Sequence, residues 1–320
     1  MAQAKHLAEI AATLLEESAP RAKSLIVTVF GDAVEPHGGA VWLGSLIALL
    51  EPFGLSERLV RTAVLRLARE HWLSATQIGR RSYYGFTASG RHRFEDAHRR
   101  IYAVEAGRWS GRWHVVHLGL DTLALPLRER LKVELLWQGF GTLAPNLLAH
   151  PSADPAALDR LLEDLGAAER VLVMEAESAP GTTASVRSAL VRRAWDLERL
   201  ARAYRDFLVR FRAVGEALEG RAVLDPPTAL LVRVLLIHEF RRVLLRDPLL
   251  PKELLPGDWP GLAARRLART LYRSTSEPAE RHLMALLETA EGRLPSAAPY
   301  FYARFGGLAR QPRAREHAAE

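Results

Sequence analysis

The sequence predicts a multidomain chain, mainly α-helical with α+β parts, and three observations carry that expectation. A basic amphipathic helix near the N-terminus is followed at once by a short hairpin, over residues 56–86. Strand and helix patterns then alternate over residues 113–174, and helical periodicity dominates from Val186 onwards. With 320 residues, 48% hydrophobic and 25% charged, the chain is long enough for two or three packed cores.

Taken in order, Leu7, Ile10, Leu14 and Leu15 recur at helical spacing and predict an amphipathic helix before Pro20, a lid or a docking arm. Residues 24–34 (SLIVTVFGDAV) and 42–50 are apolar enough for two buried helices, punctuated by Pro36, Gly38, Gly39, Pro52 and Gly54. Ser56 is an N-cap candidate with Glu57 in the first turn, where an acid suits the exposed amides. In the helix that follows, Val60, Ala63, Val64, Leu67 and Ala68 form one face, while Arg58, Arg61, Thr62, Arg66 and Arg69 fall on the other. Residues 73–78 and 82–86 favour strands, and Gly79, Arg80 and Arg81 between them predict a turn with two guanidiniums at its tip.

A helix with one docked and one basic face, then an arginine-tipped hairpin, is the order of a winged helix-turn-helix that grips double-stranded DNA. The candidate DNA-binding residues are Arg58, Arg61, Thr62, Arg66, Arg80 and Arg81. A solvated amphipathic helix beside a basic turn is the alternative. Charge placement favours DNA: residues 58–100 hold ten arginines against three acids, net +7, and the whole chain is also +7, so the remainder sums to zero.

Residues 87–103 predict a helix leading out of this domain, taken as 1–105. Beyond a boundary at residues 107–111, the chain predicts strand 113–118, helix 127–137, strand 139–143, helix 155–165 and strand 170–174. That order suggests a ferredoxin-like α+β domain over 106–183, and another α/β connectivity would leave the same pattern. The remainder, 184–320, is expected to be an all-α C-terminal domain. It holds a long helix or helix pair over 186–218, a helix over 228–246 opened by Pro226 and Pro227, and further helices over 262–272 and 279–287. The proline-rich DPLLPKELLPGDWPG, residues 247–261, predicts an ordered surface loop, and 311–320 a frayed tail.

Several function classes drop out. The absence of cysteine excludes disulfides and thiolate chemistry. The longest apolar stretch, 229–237, is broken by Arg233, so a soluble, cytoplasmic protein with no membrane partner is expected. Gly139, Gly141 and Ala144 match G-x-G-x-x-A, but they follow a helix and open a strand, so no helix N-terminus would meet a phosphate. His238-Glu239 lacks a second histidine, and His114 and His117 fall on opposite faces of a strand, so no metal site and no catalytic residue are assigned.

The segments SLIVTVFGDAV, SERLVRTAVLRLAREHWL, RERLKVELLWQGFGTLAPNLLAHP and IHEFRRVLLRDPLLPKELLPGDWPG together closely resemble the phenylacetic-acid catabolon repressors, the PaaX family, over residues 20–305. The resemblance implies a homodimeric, non-enzymatic transcriptional repressor that binds a promoter palindrome and is released by phenylacetyl-coenzyme A or a related acyl-coenzyme A, with no cofactor. It also implies a central domain similar to the ferredoxin-like nuclease of CRISPR adaptation, in which Asp121 occupies the place of a metal-binding carboxylate. A metal-dependent nuclease is therefore the alternative, and a thioester sensor working through protein partners is a third reading. An acyl-coenzyme A pocket needs arginines beside apolar walls. His238, Arg241 and Arg242 are the candidate ligand residues on that ground, with Trp195, Tyr204 and Trp259 as aromatic wall. The competing account pairs Glu239 locally with arginine and places the tryptophans in the core.

Overall fold

The structure, a computed structural model, describes residues 2–103, 108–119, 123–179, 181–219 and 224–308. Asp121 and the 311–320 tail lie outside the described residues. The chain divides into two compact units, one of residues 1–104, 206–242 and 263–320 and the other of 105–205 and 243–262. Residues expected as a separate C-terminal domain thus contribute to both.

The first unit opens with α1 (Ala2–Ser18), which buries Leu7, Ala11 and Leu14. Next, α2 (Ala22–Val29) continues without a break into a π turn, Phe30–Val34, and a 3-10 turn, Glu35–His37, stopped by the left-handed Gly38. A short strand absent from the sequence reading, β1 (Ala40–Trp42), precedes α3 (Leu43–Leu50). In α4 (Glu57–Arg69) the expected cap is present, Leu59 N–H donating to Ser56 Oγ at 3.4 Å, and Val60, Ala63, Val64 and Leu67 are buried.

The hairpin is β2 (Leu73–Ile78) and β3 (Arg81–Phe86), and the antiparallel sheet runs β1-β3-β2. Ile78 pairs with Arg81, so the turn is two residues, Gly79 and Arg80, with Gly79 at φ +59°. This corrects the expected turn: Arg80 alone stands at the tip, because Arg81 has joined the strand ladder. From Thr87, whose hydroxyl caps it, α5 (Ala88–Tyr102) returns Phe94 onto Phe86 at 5.7 Å.

In the second unit, β4 (Arg112–His117), α6 (Leu125–Trp137), β5 (Gly141–Ala144), β6 (Leu147–His150), α7 (Pro155–Asp164) and β7 (Leu172–Glu177) follow one another. The sheet order is β5-β6-β4-β7, with every pair antiparallel. That βαββαβ connectivity is ferredoxin-like. The expected strand 139–143 was half of a hairpin: Pro145 and Asn146, the latter at φ +60°, turn the chain back into β6. Val116, Leu131, Leu135, Phe140, Leu148, Leu158 and Leu162 fill the space between sheet and helices.

The G-x-G of this segment has a packing role. A Cβ on Gly141 would lie 2.5 Å from the Trp195 ring, while Trp195 Nε1 donates to Gly139 O at 2.9 Å. Trp195 follows α8 (Ala184–Ala194), and the long helical pattern proves to be a pair, α8 and α9 (Leu197–Glu219). The proline-rich segment is ordered, with a 3-10 turn at Lys252–Leu254 and Leu250, Leu254 and Trp259 buried.

The helices α10 (Pro226–Leu244) and α11 (Pro260–Leu286), a two-residue hairpin of β8 (Glu288–Thr289) and β9 (Gly292–Arg293), and α12 (Pro299–Tyr302) complete the described chain. The two helices expected over 262–287 are one, with Pro278 inside it. Its apolar and hydroxylic face, Leu271, Tyr272, Thr275, Ala279 and Leu283, is buried on both sides of the proline, and that packing outweighs the missing amide. In the first unit, β8 lies beside β1, and Glu288 N–H donates to Ser45 Oγ at 3.2 Å.

Candidate functional site

Burial of the Val60-Ala63-Val64-Leu67 stripe dictates what α4 offers to solvent: Arg58, Arg61, Thr62 and Arg66 are all exposed, with Leu59 at 45% and Leu65 at 52% exposure between them. Arg58 and Arg66 make no ion pair among the described residues, whereas Arg61 Nε donates to Glu57 Oε1 at 2.8 Å, one helical turn back. A pair this exposed is worth about 0–1 kcal/mol, so a phosphate or base edge can compete for Arg61. Thr62 donates its hydroxyl to Arg58 O at 2.8 Å, which turns the oxygen into the helix.

On the hairpin, Gln77 Nε2 donates to Gly79 O at 3.1 Å and Ser82 Oγ to Gln77 Oε1 at 3.1 Å, fixing the turn that carries Arg80. Arg81 does not share that position. Its Nη1 donates to Glu288 Oε2 at 2.6 Å and its guanidinium lies over the Trp42 ring at 4.1 Å, so it ties the turn end of β3 to β8 and β1.

The effector candidates divide between the two units. In the first, His238 Nδ1 lies 3.1 Å from Thr28 Oγ1, whose own proton goes to Ser24 O at 3.1 Å. Arg241 Nη2 donates to Ser24 Oγ at 3.2 Å. Arg242 pairs with Glu239 at 2.9 Å, and Arg210 takes the other carboxylate oxygen at 2.5 Å. Local pairing of Glu239 is therefore what the side chain does. In the second unit Trp195, Tyr204 and Trp259 are buried: Trp195 lies stacked against Trp113 at 6.4 Å, Tyr204 meets Trp259 edge-on at 6.0 Å, and Tyr204 OH donates to Asp247 at 2.5 Å. Packing within that unit accounts for all three aromatics.

A cluster the sequence reading missed lies at the centre of the first unit. Asp32, in the π turn after α2, accepts from Arg233 Nε at 2.8 Å, Arg304 Nη1 at 3.2 Å, Tyr102 OH at 2.6 Å and Tyr272 OH at 2.8 Å. Arg233 also donates to Glu280 at 2.6 Å, and His37 Nε2 sits 2.9 Å from the other Glu280 oxygen. Asp32, Arg233 and Arg304 are at most 1% exposed, so a charge removed here could not be replaced by water. Burial raises the Glu280 carboxyl, but Arg233 and the His37 hydrogen bond outweigh it and hold it at about 2.

Two histidines, the buried His238 and the half-buried His98, are held neutral. Burial, reinforced by Arg241 and Arg242, lowers His238 to about 3, and burial with Arg304 lowers His98 to about 4, against 6.5 in the unfolded chain. The unfolded chain therefore binds more protons below about pH 6.5, and stability is full above that value and falls as pH drops through it. For His238 the limiting slope is about 1.4 kcal/mol per pH unit. Glu280, depressed from 4.5, adds a further loss below that pH. Urea unfolding midpoints should be level above about pH 6.5 and decline steadily below it; a midpoint still level at about pH 5 would contradict this.

Among the described residues no group of three or more His, Asp or Glu side chains stands close enough to hold a metal ion, and no helix is long and apolar enough to cross a membrane. Fold and surface are those of a multidomain protein with a basic helix-and-hairpin face and a ferredoxin-like centre. The chain belongs to the PaaX family, since three of its models match in chain order: PaaX-like protein over residues 21–90, the PaaX protein central Cas2-like domain over 106–187, and the PaaX-like protein C-terminal domain over 195–285. It is 40% identical over 287 residues to Transcriptional repressor PaaX of Escherichia coli (strain K12), covering 89% of this chain and 90% of that one. Among solved structures it is similar to Uncharacterized protein Rv0674 from Mycobacterium tuberculosis, with a TM-score of 0.53 and 23% identity over 82% of this chain and 98% of the other. At that identity the likeness concerns the fold.

Proposed function

We propose that this chain is a cytoplasmic, homodimeric, non-enzymatic transcriptional repressor of a phenylacetate-degradation operon. Its N-terminal module is a winged helix-turn-helix that binds a palindromic operator, and an acyl-coenzyme A such as phenylacetyl-coenzyme A releases it. The observation that carries the reading is the exposed face of α4, Arg58, Arg61, Thr62 and Arg66 opposite a buried stripe, followed by a hairpin tipped by Arg80. Its support is the 40% identity to a protein named a transcriptional repressor. Helix α4 would supply base contacts in the major groove and the hairpin would supply phosphate contacts. His238, Arg241 and Arg242 are assigned to the effector, whose several phosphate charges call for guanidinium partners.

The experiment is fluorescence anisotropy of the protein on its own upstream DNA, titrated in parallel with phenylacetyl-coenzyme A, phenylacetate and benzoyl-coenzyme A. Salt-dependent binding released by the first compound alone is expected. Absence of salt-dependent binding would favour a sensor acting through protein partners. Magnesium- or manganese-dependent cleavage lost in Asp121→Ala would favour the nuclease.

A further inference from the structure

Leu65 occupies the crest of the solvent face of α4. It lies opposite the buried stripe of Val60, Ala63, Val64 and Leu67 and is 52% exposed. Helical spacing surrounds it with exposed polar side chains: Arg61 and Thr62 one turn before it, Arg69 one turn after it, Arg66 beside it and Arg58 two turns before. A single leucine in water is ordinary on a protein surface. Here the setting gives it meaning, because its neighbours are four arginines and a threonine, and it is the large apolar group presented to whatever those guanidiniums bind.

The two polar groups one turn before Leu65 leave it uncovered. Thr62 gives its hydroxyl proton to Arg58 O at 2.8 Å, so it brings no donor to the crest. Arg61 is drawn away from Leu65 toward Glu57, one turn back, by the 2.8 Å hydrogen bond from its Nε. The crest is therefore an apolar spot inside a ring of positive charge. That charge selects a polyanion, and in a DNA duplex the apolar groups on the floor of the major groove are thymine 5-methyls. Arginine is the longer side chain, so guanidiniums splayed to the phosphates on either wall leave the shorter leucine facing the floor between them. The minor groove displays no such methyl.

We infer that Leu65 reads the 5-methyl group of a thymine in the major groove and so sets a preference for an A·T pair at one position of each half-site. The inference deepens the DNA-binding reading above and rests on it. Contacts to phosphate hold the helix against any sequence, whereas a leucine packed on a methyl loses that contact when cytosine replaces thymine. Helix α4 would then specify two kinds of base pair, guanine through guanidinium forks and thymine through Leu65.

The test is fluorescence anisotropy of the full-length protein on synthetic duplexes tiling its own upstream DNA, with each thymine of the tightest-bound duplex replaced in turn by 2′-deoxyuridine. That exchange removes one methyl and leaves the pairing and hydrogen-bonding edges unchanged, and synthetic DNA holds no methylcytosine to stand in for it. The native chain should lose about fourfold in affinity for each contacted methyl removed, at positions related by the symmetry of the site. Leu65→Ala should bind the unmodified duplex more weakly by a similar factor and show no penalty at those positions, with far-UV circular dichroism checking its fold. Arg66→Ala, weaker throughout, should keep the penalty. At the same positions, 5-methylcytosine opposite guanine should bind the native chain better than plain cytosine does, and Leu65→Ala should not distinguish the two. Absence of a penalty at every thymine, or the same penalties in Leu65→Ala as in the native chain, would overturn the assignment while leaving the DNA-binding reading intact. Absence of salt-dependent binding to every duplex would remove both.

Discussion

Asp32→Ala should lower the unfolding free energy by about 3–5 kcal/mol, the cost of breaking a buried ion pair from one side. The cluster is balanced as it stands: Asp32 and Glu280 face Arg233 and Arg304, with hydrogen bonds from two phenols completing the Asp32 carboxylate. Removing that carboxylate would leave two guanidiniums against one acid in a region closed to water, and Tyr102 and Tyr272 without their acceptor. Burial already pushes both phenols upward, so neither can ionise to take its place. Aromatic faces offer partial compensation, with Arg304 over Tyr102 at 4.1 Å and Arg233 over Tyr272 at 5.0 Å, but each such contact is worth about 1–2 kcal/mol and both exist already in the native cluster. Asp32→Asn, which keeps the shape and one acceptor oxygen, should cost less than Asp32→Ala. Urea denaturation decides the matter: native-like stability in Asp32→Ala would mean that the cluster does not hold α2 to the C-terminal helices of its unit.

That cluster also marks the limit of what the sequence discloses. Helix α4, its Ser56 cap, the following hairpin and the α8–α9 region were legible because periodicity and capping are local, carried by residues within a turn or two of each other. Arg304 and Asp32 are 272 positions apart, and no spacing rule links them. One signal was present: Arg233 interrupts the apolar run 229–237, and a lone arginine in a buried stretch implies buried acids to meet it. Register was the second limit. Whether Arg81 belongs to the turn or to the strand depends on a single residue of pairing, and the ladder Ile78 to Arg81 settles it for the strand, where Glu288 and Trp42 take the side chain. The third was tertiary override. Residues 262–272 and 279–287 read as two helices, yet α11 runs through Pro278 because its buried face is continuous on both sides of the proline. Of the site residues, the basic face of α4 was visible as a face; the partners of Arg241 and His238 on α2, more than two hundred residues away, were not.

Arg66→Ala and Arg80→Ala should both weaken DNA binding, and in different ways. Arg66 is on the exposed face of α4 and makes no ion pair among the described residues, and the exposed Leu59 and Leu65 on the same helix suit thymine methyl groups. If α4 lies in the major groove, losing Arg66 removes a base contact worth about 1–3 kcal/mol, and affinity should fall about ten- to hundredfold on the operator and far less on unrelated DNA. Arg80 stands at the tip of the hairpin, where backbone phosphates are the reachable groups. Its removal should weaken all sequences alike and reduce the slope of log affinity against log salt by about one. Arg81→Ala should behave differently from its neighbour, because its guanidinium is already shared between Glu288 and Trp42, and its loss should loosen the hold of β8 and β1 on the hairpin more than it alters the salt slope. Fluorescence anisotropy over a salt series, on operator and scrambled duplexes, separates the three. Equal operator affinity in Arg66→Ala and the native chain would remove α4 from the groove.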